Sequence, residues 1–166
     1  MSAASGMLVA DRVKTLYDKM KVASNKEERI RLIVFSIKDN MIDVHEDKIY
    51  KQCDLDCSKI DCFDQFKNHL CAKQSLYLLY DCHFEKKELG TQEDLVFAMW
   101  NGPETSIKNR MTYCSSVSAI KKCFPGIKHD IEMTDFDEAA TRANFMEKLN
   151  VTDVTSVEGK PLRGCM

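Results

Sequence analysis

Apolar residues along this chain follow the spacing of helices in some stretches and of buried strands in others. The first stretch predicts an amphipathic helix of about three turns that begins near Ala10. Its apolar residues recur at helical spacing: Val9, Val13, Leu16, Tyr17 and Met20. Residues 29–37, RIRLIVFSI, are rich in β-branched side chains and predict a strand. This strand is predicted to turn at Asp39-Asn40 and to pair with residues 41–46 as a hairpin.

Two further strands are predicted in the middle of the chain. Residues 75–84, SLYLLYDCHF, form a near-continuous apolar run, which is typical of a strand buried on both faces. We therefore place this strand at the centre of the sheet. A charged loop over residues 85–93 leads to a second buried strand, residues 94–100, which breaks at the Asn-Gly-Pro turn of residues 101–103.

The remaining pattern completes an alternation of helix and strand. A short helix precedes the central strand, a long helical pattern follows residue 103, and a short strand covers residues 131–133. A final helix opens at Asp137 and carries Ala140, Phe145, Met146 and Leu149. The short helix carries Phe63, Phe66 and Leu70. This order predicts one α/β domain over residues 1–166, with a central mixed sheet flanked by helices on both faces. Residues 1–8 or so are expected to form a flexible tail.

Composition limits the kinds of partner. Hydrophobic residues make up 44% and charged residues 30% of the chain, and the net charge is −2. No global field therefore draws the protein onto nucleic acid or membrane, so an anionic partner requires a local basic patch. No apolar run approaches the ~20 residues of a bilayer span, and no signal sequence is present at the start. We expect an intracellular monomer whose eight cysteines are mostly free thiols.

Sequence motifs favour neither catalysis nor metal binding. The four histidines do not form an H-x-x-x-H pair, and the chain has no nucleophile elbow, P-loop or paired carboxylates. We therefore predict no enzyme and no cofactor. Four cysteines are spaced by three, four and eight residues, which differs from the C-x-x-C of zinc sites: Cys53, Cys57, Cys62 and Cys71. A thiol or zinc protein built on these cysteines is the alternative from a different class, and stoichiometric zinc would support it.

Residues 94–128 carry the most specific pattern in the chain. The strand ending in Trp100 is followed by an x-x-Pro-Glu turn, the segment K-x-R-M-x-Y-x-S-S and the run A-I-K-K-x-F-x-G-I-K-H. Further matches lie far away, at Ser5-Gly6 near the start and at SVEGKPL, residues 156–162, near the end. Several separate motifs in one order are more specific than any single motif. Over nearly its whole length the chain resembles the actin-depolymerizing factor/cofilin family.

The resemblance implies a surface for actin monomers, which we call the monomer surface. It consists of Ser5, Gly6, Lys108, Arg110, Met111, Lys121 and Lys122. By composition alone, the lysines of the long helix are its solvated face, and Met111 belongs to a core stripe with Tyr113, Ile120 and Phe124. The family pattern favours the contact with actin, because charge steers an acidic partner and a desolvated methionine supplies affinity.

A second implied contact forms only with filaments, and we call it the filament surface. It consists of Lys86, Lys87, Glu138 and Arg142. Relatives place a basic pair in the loop before residue 94, where this chain has Thr91 and Gln92. The filament surface is thus half retained. The resemblance implies a protein that binds actin monomers and filaments and promotes severing or depolymerization, and a monomer-sequestering protein with weak severing is the alternative.

The resemblance also implies several modes of regulation. Ser5 matches the family's phosphorylated serine, which implies a regulatory kinase and phosphatase, and Ser2 is a competing position. His129 matches the pH-sensing histidine, with Asp94 as its partner acid.

Three departures concern binding and location. Val117 and Cys123 stand where relatives have basic residues, so phosphoinositide binding is expected to be weakened. The family's basic nuclear-import run is here KEERIR, residues 26–31, in which acids interrupt the basic residues. The resemblance therefore predicts a cytoplasmic, cytoskeletal location and does not favour nuclear entry.

Overall fold

The computed structural model describes residues 6–22 and 26–162, which form eight strands and five α-helices. The strands are β1 (Leu8–Val9), β2 (Ile30–Lys38), β3 (Met41–Lys51), β4 (Ser75–Lys86), β5 (Gly90–Asn101), β6 (His129–Met133), β7 (Val154–Val157) and β8 (Lys160–Pro161). The helices are α1 (Asp11–Lys21), α2 (Gln52–Ser58), α3 (Cys62–Asn68), α4 (Ile107–Lys121) and α5 (Arg142–Lys148), with a 3-10 helix (Phe136–Ala139) before α5. Within the described residues, no helix is both long and apolar enough to span a bilayer.

All eight strands join one mixed sheet. Its order is β1-β3-β2-β4-β5-β6, with β7 paired to the far end of β4 and β8 paired to β7. The β1–β3 and β5–β6 pairs are parallel, and the other pairs are antiparallel. β4 contacts β2, β5 and β7, so the predicted central position of residues 75–84 is confirmed.

Helices cover both faces of the sheet, as predicted. Because side chains alternate along a strand, Tyr77 and Leu79 of β4 face one layer, and Leu78 and Tyr80 face the other. The first layer is packed by α1 and α4 through Val13, Leu16, Tyr17, Met20, Tyr113 and Ile120. The second layer is packed by α2, α3 and α5 through Leu55, Phe63, Phe66, Phe145, Met146 and Leu149.

Local signals placed the first helix and hairpin correctly. α1 begins after Ala10, whose side chain makes no capping hydrogen bond. The β2–β3 hairpin turns at Asp39 and Asn40, with φ of 53° and 60°. Two consecutive positive φ values are the requirement of a type I′ turn, which Asn and Asp meet more easily than other residues with side chains.

Two predicted boundaries are wrong. Residues 85–93 are a hairpin instead of a charged loop, because β4 and β5 pair from Ser75–Asn101 out to Lys86–Gly90. Polar side chains are tolerated there because this end of the hairpin is largely exposed. The predicted final helix is divided into the 3-10 helix and α5, since Asp135 and Thr141 each cap a separate start. β1, α2, β7 and β8 were not predicted.

A buried ion pair ties the last strands to the sheet. Arg31 and Glu158 have side chains only 3% and 6% exposed, and Arg31 Nη2 donates to both carboxylate oxygens of Glu158 at 2.7 Å. The Tyr80 hydroxyl donates to Glu158 Oε2 at 2.6 Å, and Arg31 also donates to the carbonyl of Asp81. Glu158 lies in the β7–β8 turn, so this network holds the SVEGKPL segment against β2 and β4.

His69 makes stability depend on acidity. Its Nε2 lies 2.9 Å from the Tyr50 hydroxyl, and burial, with a smaller contribution from Lys48, lowers its pKa from 6.5 to about 4. Because the unfolded state binds the proton first, the contribution of His69 is full above pH ~6.5 and is lost as pH falls toward 4. We expect His69→Asn to reduce the loss of unfolding free energy between pH 7 and pH 4 by about 1–3 kcal/mol, measured by urea denaturation.

His45 provides the matched control, because its side chain is exposed. His45→Asn is expected to leave the pH dependence of the wild type unchanged. Equal slopes for wild type and His69→Asn would show that other groups cause the acid sensitivity.

Candidate functional site

The start of α4 is fixed by the close approach of two backbone segments. Gly102 donates its N–H to the carbonyl of Gln74 at 2.9 Å, and Glu104 donates to Ala72 at 2.8 Å. A Cβ on Gly102 would lie 2.2 Å from the carbonyl oxygen of Ala72, so only glycine permits this approach. Ser106 then caps α4, because its hydroxyl accepts from the Asn109 N–H at 3.1 Å. The first turn of α4 is therefore rigidly positioned.

That first turn carries an exposed apolar pair. Ile107 and Met111 are 77% and 65% exposed. They are four residues apart, so they lie side by side on one face of the helix. Lys108 beside them is exposed, and Arg110 donates to the carbonyl of Gly102 at 3.2 Å. An exposed apolar pair flanked by cations is suited to binding an acidic partner.

The core stripe expected from composition is correct except for Met111. Tyr113, Ile120 and Phe124 are buried against the sheet, whereas Met111 faces solvent. Ile107 was missed in the sequence because it begins the helix next to a turn. Its spacing of four residues before Met111 was the available signal.

The other end of α4 carries the remaining cations of the monomer surface. Lys121 Nζ forms an ion pair with Asp130 Oδ2 at 2.5 Å, and Lys122 is exposed. Val117 and Cys123 are half-buried and pack against the core. Val117 and Cys123, which stand where relatives are more basic, thus contribute packing instead of charge.

The N-terminal part of the monomer surface is only partly described. Gly6 is exposed, with φ of +78°, and β1 follows it directly. β1 pairs with β3 and contacts α4, which brings Gly6, the residue at the beginning of the described range, to the side of the domain that carries α4. Ser5 and Ser2 lie outside the described residues.

The lysines of the filament surface lie on the β4–β5 hairpin. Lys86 is the last residue of β4 and is half-buried, whereas Lys87 is exposed in the turn. The Lys87 N–H donates to the carbonyl of Asp153 at 2.9 Å. Gln92 does not project freely, because its side-chain amide donates to the carbonyls of Leu89 and Thr91 at 3.2 and 3.1 Å.

Glu138 is engaged within the domain. Its carboxylate accepts from the backbone N–H groups of Thr134 and Asp135 at 3.0 and 3.1 Å, and it pairs with Lys148 at 2.6 Å. Partial burial opposes ionisation, but the Lys148 ammonium and the two N–H groups hold the pKa of Glu138 below its usual value. Glu138 therefore stabilises the junction between the 3-10 helix and α5.

Arg142 is likewise engaged within the domain. Its guanidinium lies over the Phe63 ring, 4.8 Å from the centroid, and bonds to Asp61. It also reaches Asp64 at 3.6 Å and donates to the carbonyl of Val157 at 3.2 Å. The side chain is 15% exposed. Arg142 thus joins α3, α5 and β7, and little of its charge faces outward.

The implied pH-sensing pair is in contact. His129 Nε2 lies 2.9 Å from Asp94 Oδ2, and Lys128 Nζ lies 3.3 Å from Asp94 Oδ1. His129 begins β6 and pairs with Val96 of β5, so the parallel pairing brings it close to Asp94, two residues earlier on β5. Asp94 is only 8% exposed, and each of its carboxylate oxygens contacts one of these two neighbours.

Within the described ranges, the cysteines of the zinc alternative do not form a metal site. Cys62 is buried, Cys53 is half-buried, and Cys57 and Cys71 are exposed. Across residues 6–22 and 26–162, no group of three or more His, Cys, Asp or Glu side chains is placed to hold a metal ion. Burial raises the pKa of the Cys62 thiol well above its usual value, which disfavours the thiolate that zinc requires.

Comparison with known proteins identifies a family profile and solved structures of the same fold. The family profile described as "Cofilin/tropomyosin-type actin-binding protein" matches residues 6–150. The structure is similar to Streptomyces griseoflavus cofilin, with a TM-score of 0.69 and 24% identity over 87% of this chain and 99% of that chain. It is also similar to Plasmodium berghei actin depolymerization factor 2, with a TM-score of 0.69 and 19% identity over 91% and 99%.

The same fold occurs in a protein of another name. Human coactosin-like protein has a TM-score of 0.67 and 10% identity over 87% of this chain and 98% of that chain. These structural likenesses establish the fold, and the profile match establishes the family. The chain belongs to the cofilin/tropomyosin-type actin-binding family.

Proposed function

We propose that this protein binds actin monomers and filaments, and that it promotes filament severing or depolymerization in the cytoplasm without catalysing a reaction. The observation that carries this proposal is the exposed pair Ile107 and Met111, flanked by Lys108, on a helix whose start is held rigidly. A rigid apolar surface loses little entropy on binding. Because proteins of different names share this fold, the proposal for filaments rests on the residues of the site and not on the fold.

The monomer contact combines both ends of α4 with the chain start. Ile107 and Met111 supply the desolvated centre, while Lys108 and Arg110 flank it. Lys121, Lys122 and Gly6 extend the contact. Because Lys121 is paired with Asp130, its contribution is smaller than that of Lys122.

The filament contact centres on the β4–β5 hairpin, with Lys86 and Lys87 as its cations. Glu138 and Arg142 act indirectly, because Glu138 holds the 3-10 helix against α5 and Arg142 holds α5 beside α3. The second candidate is a monomer-sequestering protein with weak severing. It is favoured by Thr91 and Gln92, which supply no charge where relatives have a basic pair.

Three forms of regulation follow from the same surfaces. A kinase and a phosphatase act on Ser5, where a phosphate of nearly two negative charges repels acidic actin. The contact between His129 and Asp94 makes filament disassembly depend on pH, and His129→Ala should flatten that dependence. Phosphoinositides bind weakly, because Val117 and Cys123 pack against the core instead of adding charge.

Co-sedimentation with filaments, run in parallel with a monomer-binding titration and filament imaging, tests this proposal. The wild type should bind both forms and shorten filaments, and Ser5→Asp should weaken both affinities at least severalfold. Ser2→Asp is the matched control and should change little. Monomer binding without filament shortening would favour sequestration, and no binding to either form would refute the proposal. Equal losses in both variants would assign the effect to the charge of the segment in general.

A further inference from the structure

The end of the β4–β5 hairpin presents one large apolar side chain to solvent. We call residues 87–89 the hairpin tip. Leu89 in this tip is 67% exposed, while Lys87 and Glu88 beside it are polar and exposed. A leucine so exposed adds little to the core, because most of its surface stays in water after folding. Leu89 lies next to Lys86 and Lys87 of the filament surface, so its apolar side chain is accessible to a partner there.

The hairpin tip is held rigidly on both sides. β4 and β5 pair up to Lys86 and Gly90, and Gly90 has φ of +71°, which suits a glycine at the end of a three-residue turn. β7 braces the outside of the hairpin through Val154, which pairs with Lys86, and through the bond from the Lys87 N–H to the carbonyl of Asp153. These backbone contacts therefore fix where the hairpin holds Leu89 relative to the sheet.

Gln92 contributes directly to this rigidity. Its amide donates to the carbonyl of Leu89 at 3.2 Å and to that of Thr91 at 3.1 Å. A lysine at this position would carry charge outward, but it has no planar amide to donate these two hydrogen bonds at the tip. The departure from the family pattern at Gln92 thus exchanges a cation for a fixed turn.

We propose that Leu89 is the apolar anchor of the filament contact, inserted by the rigid hairpin tip into an apolar depression of a filament subunit, while Lys86 and Lys87 pair with acids around it. This inference rests on the proposed function. The partner is a filament subunit, since Lys87 in the tip and Lys86 next to it are the two cations assigned to that contact, and actin is acidic. A preordered leucine binds at a small entropic cost, and its burial offsets the two charges absent from residues 91 and 92.

The test compares Leu89→Ser with wild type in filament co-sedimentation and monomer titration. We expect filament affinity to fall roughly 10- to 100-fold, as for loss of an apolar anchor, with monomer affinity unchanged. The salt dependence should persist, because Lys86 and Lys87 remain. Leu89→Met should retain most of the affinity, and Gln92→Ala should lose part of it by loosening the tip.

Val22→Ser is the matched control, because Val22 is 69% exposed at the end of α1 and so belongs to a different element. It should leave filament affinity unchanged. If wild type and Leu89→Ser bind filaments with equal affinity, Leu89 is not the anchor, while the proposed function stands. Equal losses of monomer and filament affinity would overturn the assignment to filaments. A wild type that does not sediment with filaments would refute the proposed filament function itself.

Discussion

Replacing Ile107 and Met111 together with serine is expected to weaken monomer binding by ~2–4 kcal/mol, or roughly 30- to 1,000-fold in affinity. Both side chains are exposed, so serine costs the folded domain little. Among the described residues at the start of α4, Ile107 and Met111 are the large apolar side chains that actin can cover. The affinity is measured by titrating labelled actin monomers, with the unfolding temperature of the variant as a check of the fold.

The double variant is best compared with two others. Lys108→Ala should weaken binding less, and its effect should shrink as salt rises, because an exposed charge acts over a distance that ions screen. Val22→Ser changes another exposed apolar residue and should have no effect. An unchanged affinity in the Ile107 and Met111 variant would show that actin does not contact this turn of α4.

The second large effect concerns stability. Glu158→Gln is expected to lower the free energy of unfolding by ~2–4 kcal/mol, because it removes the nearer of the two carboxylates, Glu158 and Asp81, that pair with the buried guanidinium of Arg31. The shape of the side chain is nearly unchanged, so the loss reports the charge. Urea denaturation measures the effect, and β7 and β8 should lose protection from hydrogen exchange first.

The control for Glu158→Gln is the same substitution at a glutamate whose side chain is exposed. Glu147→Gln makes the same chemical change on an exposed residue of α5 and should alter stability by less than ~0.5 kcal/mol. Combining Arg31→Met with Glu158→Gln should cost less than Glu158→Gln alone, since the buried guanidinium is then absent and Asp81 keeps its ion pair with Arg29. Equal effects of Glu158→Gln and Glu147→Gln would mean that water reaches the Arg31 network.

Local patterns were sufficient wherever a local cause decides the structure. The β2–β3 turn follows from Asp39 and Asn40, which accept a positive φ, and the central position of β4 follows from its continuous apolar run. The hairpin at residues 85–93 was missed because its pairing is stabilised by β7, about 70 residues later in the chain, and not by its own composition. The final helix was divided by two caps, each of which also looks like an ordinary polar residue in sequence.

The candidate site shows the same division. The residues of α4 and the pair His129 and Asp94 could be named from motifs, and the structure places that pair at 2.9 Å. Motifs could not tell which charges are used internally. Arg142 is bound by Asp61, which is distant in sequence. Glu138 and Gln92 are held largely by hydrogen bonds to backbone atoms, which no side-chain pattern reveals.

By itself, the sequence determined the family, the mixed sheet between two helical layers and the position of the basic helix, since these depend on periodicity and motif order along the chain. Only the tertiary structure decided which of those residues are available to a partner. Met111 and Leu89 are exposed while Arg142 is not, and that outcome depends on how distant segments pack. Hydrophobicity and charge are properties of a residue, whereas exposure is a property of its surroundings in the fold.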